Sequence, residues 1–471
     1  MKSLLHHLAL FAACLPLPLA ATTLTDTQGR SIEVEILELT EDAVDVRRAD
    51  GYAFTIPLAN LSEASRALLR EAEEAGEAPG ADYDFNALNE LLEIPLWADS
   101  DLWDDDSASV AKRLGWPLES QTETQASYRK YFKGKRSPIA GARPHTAVLY
   151  TKDGKVDYLS IMFANKGDSV GVREIEDERD ALKQVNEAID ADFEMIRTRF
   201  DTIAESQNET GGISRGMKER AQRWDYGNNS LWLASVEDEY IALRIMPPDL
   251  ADRWGQPEYQ SDETVRQAAK ANVSETDFGD VLIRNIPMVD QGPKGYCVPA
   301  TMERYLRYMG IRADMYTLAM AGSTTIGGGT SLSAIIDGTS SYVRRSSRKM
   351  DSIDAEVDIR TVSKYIDAGQ PLMWTMFSTD AYNALANTIT KQRSRATDHR
   401  EWRSELRRLL RDVPELQKDY SSAHLCMIVG YNAETDEIAV SDSWGPRFEL
   451  RWITAEAANQ ISQGRFYIID F

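Results

Sequence analysis

Cysteine is scarce in this sequence: 471 residues hold only Cys14, Cys297 and Cys426. That excludes a disulfide-framework protein and a cysteine-ligated zinc site. Positive charge is also short, with 53 Lys and Arg against 75 Asp and Glu and a net charge of -22. Such a chain repels phosphate backbones, so nucleic acid is excluded as a non-specific partner. Long apolar runs are missing beyond the first residues, so no transmembrane segment is expected in the mature chain. Gly327-Gly328-Gly329-Thr330 lacks the Gly-Lys-Ser/Thr of a phosphate loop and reads as a loop ending in a Thr330 or Ser331 cap before Leu332. What is present is ample core material, 42% hydrophobic and 9% aromatic, enough for about three domains.

The chain opens with Met1-Lys2 and an apolar stretch from Leu4 to Leu19, broken by His6, His7 and two prolines and closed by Ala20-Ala21. This is the pattern of a secretory signal peptide over residues 1–21, too short and interrupted for a membrane span. A secreted or periplasmic protein is expected. A second reading takes Phe11-Ala12-Ala13-Cys14, which loosely resembles a bacterial lipobox and makes Cys14 a lipid anchor.

Residues 22–70 read as a small β unit. Ser31–Leu39 alternates apolar and polar, Thr40–Asp42 turns, Val44–Val46 alternates again, and Asp50-Gly51 is a hairpin turn before Phe54–Ile56. Pro57-Leu58 and Leu61-Ser62 close the unit, with Ser62 as a helix cap. With Thr25-Asp26 and Gly29, these residues resemble the Sla-type homology domain, although Leu24 stands where that family often has Trp. The resemblance implies an SH3-like β barrel with a peptide or protein partner.

Residues 71–84, rich in Glu, Ala, Gly and Pro, read as a linker. Residues 85–260 read as an α+β middle domain of unknown function. Its expected parts are a hairpin of Thr146–Tyr150 and Val156–Phe163 turning at Lys152–Lys155, and a second of Leu231–Ala234 and Tyr240–Ile245. Between them Leu182, Val185, Ile189, Ile196, Phe200 and Ile203 recur at helical spacing, which predicts a helix laid across its own sheet. The acidic cluster Asp99, Asp101, Asp104, Asp105 and Asp106 lacks the Gly and distal Glu of a calcium loop and reads as helix capping before Val110. A further reading makes this middle region a prosegment that occludes the cleft until it is processed.

Chemistry concentrates after residue 280. Val281–Val289 reads as a strand entering the loop Asp290-Gln291-Gly292-Pro293-Lys294-Gly295-Tyr296-Cys297. A helix follows, with Val298, Met302, Tyr305, Leu306 and Met309 on one face and Gly310 as its C′ residue. Cys297 therefore sits at a helix N-terminus, where free N–H groups and the macrodipole favour a thiolate, the nucleophilic form. A thiolate needs a proton partner. Beyond the signal there are three histidines, and His145 and His399 read as surface residues. His424 opens an apolar run, Leu425–Gly430, that predicts a central buried strand. If Tyr431 pairs with Glu437, Asp442 falls opposite Cys426 and diagonal to His424, close enough to fix the imidazole. Gln291, six residues ahead of Cys297, supplies an amide that with the Cys297 N–H would donate to an oxyanion.

Gln291, Cys297, His424 and Asp442-Ser443-Trp444-Gly445, in that order, resemble the papain-like cysteine peptidases. The Cys-to-His interval lies near the ~130–150 residues of papain-type chains. Gly295–Thr301, Gly430-Tyr431 and an Asp in place of the family's Asn resemble most closely the branch containing the bacteriocin-leader (double-glycine) peptidases, whose members are fused to membrane exporters that this chain lacks. The resemblance covers residues 280–471 and implies Cys297 as nucleophile, His424 as base and acid, Asp442 as orienter and Gln291 as oxyanion donor. No metal or organic cofactor is implied, and the substrate is a peptide or protein.

The expected fold class is α+β multidomain: an SH3-like β barrel, an α+β middle domain and a papain-like C-terminal domain. The expected function is a secreted cysteine peptidase. Amidases and transglutaminase-like enzymes use the same triad, so acyl transfer of another kind stays open. So does a non-catalytic binding protein, if Cys426, one pleat from His424, pairs with Cys297 in a disulfide; the simpler reading of Cys426 is a small buried hydrophobe. A charged insert between Thr390 and Tyr420, carrying Arg393, Arg395, Arg400, Arg403, Arg407, Arg408 and Arg411, reads as a solvated helix, with steering of acidic substrates as its alternative.

Overall fold

The computed structural model describes residues 22–39, 43–48, 53–76, 84–98, 101–132, 137–169, 178–209, 219–253, 260–292, 295–322, 329–411 and 413–471. The expected signal segment with Cys14, the Thr40–Asp42 and Asp50-Gly51 turns, residues 77–83 of the expected linker, Asp99, Pro293-Lys294 and Gly327-Gly328 lie outside the described residues, while residues 71–76, read as linker, are helical. The chain is a mixed α/β protein of two compact units, Met1–Tyr83 and Asp84–Phe471. Among the described residues no helix is long and apolar enough to cross a membrane.

In the first unit, alternation produces an antiparallel meander of Thr22–Thr25, Ser31–Leu39, Ala43–Arg48 and Ala53–Pro57, each strand paired with the next. Leu24, Val34, Val44 and Val46 point to one side and form a core with Leu61 and Leu69. Asp26 holds the first turn by accepting from the backbone N–H groups of Gln28 and Arg30, and Gly29 takes the left-handed conformation there, at φ 80°. Ser62 caps the following helix, Glu63–Gly76, by accepting from the Ser65 N–H.

The second unit holds two eight-stranded sheets. The first joins two antiparallel meanders at its centre, where Lys155–Asn165 pairs with Tyr240–Met246. The predicted hairpins are Thr146–Lys152 with Lys155–Asn165, and Asn229–Val236 with Tyr240–Met246. Glu178–Phe200 is the predicted crossing helix and buries Val185, Ile189, Phe193, Ile196 and Phe200 against one sheet face. Each such side chain contributes about 1.5–3 kcal/mol. Leu182 is only half-buried, with Ala181 taking its place, and Ile203 lies beyond the helix end. Asp106 caps the helix Ser107–Leu114 as expected, accepting from the Ser109 N–H.

The second sheet is built around Ala423–Asn432, buried from its second residue onward as its continuous apolar run requires. Gly430 is obligatory there: a Cβ would fall 2.4 Å from the Val281 carbonyl oxygen. Leu372–Phe377 and Asp280–Ile283 pair with this strand, as does Glu437–Ser441.

Two expectations are corrected. Tyr431 faces Ile438 rather than Glu437, but a bulge between Ile428 and Gly430 restores the expected offset, with Ile428 opposite Val440 and Met427 opposite Ser441. Asp442 is therefore still delivered beside His424. The strand read over Val281–Val289 ends at Ile283. Asn285 turns at φ 61°, and the chain then runs against the first sheet, where Met288 N–H donates to Ser120 Oγ at 2.8 Å and Asp290 N–H to Glu119 Oε1 at 2.8 Å. Side chains, not a partner strand, satisfy these amides.

Candidate active site

Cys297 is the first residue of the helix Cys297–Tyr308; Tyr296 precedes it and offers no side-chain cap. The far end closes as expected: Gly310 sits at φ 75°, Gly310 N–H bonds the Arg307 carbonyl, and Ile311 N–H bonds the Leu306 carbonyl. This Schellman arrangement stops the helix after three turns. Thr301 Oγ1 donates to the Leu425 carbonyl at 3.1 Å and docks the helix on the strand carrying His424.

The structure brings Cys297, His424 and Asp442 together. His424 Nε2 lies 2.9 Å from Asp442 Oδ1, and the ring interacts electrostatically with the Cys297 thiol. Burial pushes the Cys297 thiol up, but the interaction with His424 and backbone hydrogen bonds at Leu425 and Val298 outweigh it and hold the thiol below its ordinary value. Burial alone would lower His424, yet the Asp442 hydrogen bond and the interaction with Cys297 push it up to about 9. At neutral pH this arrangement favours a thiolate–imidazolium pair. Trp444 covers the imidazole with ring centroids 4.8 Å apart. Gln291 is half-buried, and its backbone N–H donates to the Ser443 carbonyl at 2.9 Å, stitching its loop to the segment just after Asp442.

Sequence reasoning missed two buried arginines. Arg451 donates to Asp442 Oδ2 through Nη2 at 2.6 Å and Nε at 3.1 Å, and through Nη1 to Asn383 Oδ1 at 2.9 Å. Its guanidinium lies over the rings of Tyr382, Trp444 and Phe448. Burial pushes Asp442 up, but His424 and Arg451 together hold it below the usual carboxylate range. Arg304 is fully buried and donates to the Pro287 carbonyl and to Ser441 Oγ, tying the Cys297 helix to the loop ahead of Gln291 and to the strand ahead of Asp442. The available signal for Arg451 was a cation opening the apolar strand Arg451–Thr454.

Cys297 and Cys426 are both free thiols. The Cys426 sulfur lies within 4.8 Å of ligand atoms of His424 and Asp442, the geometry of a small metal site. The donors do not suit a cation: burial pushes the Cys426 thiol well up, and Arg451 and His424 already occupy both Asp442 oxygens.

His145 and His399 are half-buried rather than fully exposed. His145 Nε2 lies 3.1 Å from Asp168 Oδ2, its ring edge-on to Tyr131 and Tyr316, and His399 Nε2 lies 2.7 Å from the Phe278 carbonyl. In each case a polar partner on a neighbouring element draws the ring inward. The charged insert between Thr390 and Tyr420 supplies the end of the helix Asp380–Arg393 and all of the helix His399–Arg411. Arg393 is buried between Asp280 and Glu437, while Arg395, Arg400, Arg403, Arg407, Arg408 and Arg411 stay exposed.

A helix that starts with a cysteine and packs on a sheet presenting His and Asp is a cysteine-peptidase-like arrangement. Residues 283–467 match the family model described as the Peptidase_C39 like family, which supports a cysteine-peptidase-like C-terminal region. The match spans Gln291, Cys297, His424 and Asp442. No curated protein matches the chain.

Proposed function

We propose that this chain is an exported cysteine peptidase with a papain-like C-terminal domain and, at its N-terminus, an SH3-like domain that takes a peptide or protein partner. The reading rests on half-buried Cys297, at a helix start, brought together with buried His424 and Asp442. The Cys297 thiolate attacks the scissile carbonyl and forms a tetrahedral oxyanion that accepts from the Gln291 amide and the Cys297 N–H. The His424 imidazolium gives its proton to the departing amine, leaving a thioester. His424 then takes a proton from water, whose oxygen attacks the thioester, releasing the acid and restoring the thiolate–imidazolium pair. Asp442 holds the ring through Nε2 throughout.

The test combines iodoacetamide alkylation across pH with hydrolysis of a peptide library. Wild type is expected to label at Cys297 well below the ~8.5 of a free thiol, and His424→Ala to lose that low-pH labelling. Hydrolysis is expected to vanish in Cys297→Ala. An ordinary, His424-independent labelling profile sinks the proposal. Amide exchange without release of free carboxylate would assign the site to acyl transfer of another kind.

A further inference from the structure

The middle region, read from the sequence as a domain of unknown function, grips the residue next to the nucleophile. Tyr296 is buried, and its hydroxyl sits 2.9 Å from Asn165 Oδ1 and 3.1 Å from Asp168 Oδ2, both from the end of the central strand of the first sheet or just after it. The fit is tight: a Cβ on Gly167 would fall 1.9 Å from the Tyr296 oxygen and 2.8 Å from its Cζ. The phenol has little room to yield, because its ring packs against Tyr316 at 5.4 Å and shares a core with Met162, Tyr240 and Ala300. The same sheet holds the Gln291 loop from both sides, with Tyr131 Oη donating to the Asp290 carbonyl at 2.6 Å and Glu119 accepting from the Asp290 N–H.

We infer that the first sheet is a permanent part of the catalytic unit, a socket that seats Tyr296 and thereby sets the position of Cys297. Tyr296 and Gly167 are positioning residues. A prosegment would leave on activation; this sheet holds the residue before Cys297 through buried contacts, and removing it would strip the support from the helix start. The inference rests on the reading of Cys297 as nucleophile.

The test uses the full chain and iodoacetamide alkylation of Cys297, whose rate and pH midpoint report thiol placement without any substrate. Gly167→Ala is expected to slow labelling at neutral pH by about ten-fold or more and to raise the midpoint toward that of a free thiol, since ångström displacements of a reacting group carry penalties of this order. In a Tyr296→Leu background, which vacates the socket, Gly167→Ala is expected to add nothing. Wild-type labelling in Gly167→Ala, or an undiminished effect in the Tyr296→Leu background, overturns the inference. Should Gly167→Ala not fold, Tyr296→Phe decides: slowed labelling with an unchanged melting temperature supports the socket, and wild-type labelling overturns it. A wild-type thiol with an ordinary, His424-independent profile would instead mark failure of the peptidase reading.

Discussion

Asp442 divides one carboxylate between two cations, His424 on Oδ1 and Arg451 on Oδ2. The guanidinium fixes the carboxylate while reducing its pull on the imidazolium proton. Removing it therefore strengthens that pull, and the basic limb of Cys297 labelling, set by His424 at about 9, moves upward in Arg451→Ala. The same change breaks a buried pair and is expected to cost about 3–5 kcal/mol in urea unfolding, with Arg451→Lys losing less. Peptide hydrolysis should fall mainly in kcat, because Arg451 acts through Asp442 and not on the substrate. A wild-type pH limb in Arg451→Ala would show that the arginine serves folding alone. Cys297, His424 and Asp442 were legible in the sequence because a helix N-terminus, an apolar strand and a return hairpin each have local signatures. Arg451 was not, since what makes it matter is a partner across a strand pair.

At the scale of elements, the Ala423–Asn432 strand does most of the positioning, carrying His424 and receiving the helix of Cys297. Its Gly430 lets Val281 approach, so Gly430→Ala is expected to lower stability by about 1–3 kcal/mol and to slow Cys297 labelling as the strand pairing shifts. Unchanged stability would mean that the neighbouring strand moves aside without cost. The helix boundaries at Cys297 and Gly310 were readable from a Gly/Pro loop and a glycine stop. The bulge was not, because no residue type in Ile428–Gly430 demands it; the hairpin register still came out right beyond it, since the bulge offsets the one-residue error at the turn. The missed end of the strand at Ile283 has a similar cause. Of its apolar continuation, Ile286 joins the core of the second sheet and Val289 shares a core with Met162 and Tyr240 of the first, and an apolar run does not say which neighbour covers it.

At the scale of the whole molecule, the contacts joining the first sheet to the Cys297 helix link residues more than a hundred positions apart, such as Tyr131 with Asp290 and Asn165 with Tyr296. No local pattern announces such pairs, so the middle region read as a domain without a role. The charge balance, by contrast, was readable at once. A net charge of -22 attracts cationic peptides at long range, so kcat/KM for a lysine-rich peptide is expected to fall as salt rises from about 20 to about 200 mM, while a neutral peptide stays level. Equal salt response for both would show that the cleft is screened from the overall field.

Trp444, whose ring lies tilted against that of His424, gives the protein an optical property of its own. An imidazolium quenches a touching indole more strongly than a neutral imidazole does. The emission of Trp444 therefore brightens when His424 loses its proton, and the resting state of the site can be watched by light, with no label and no turnover.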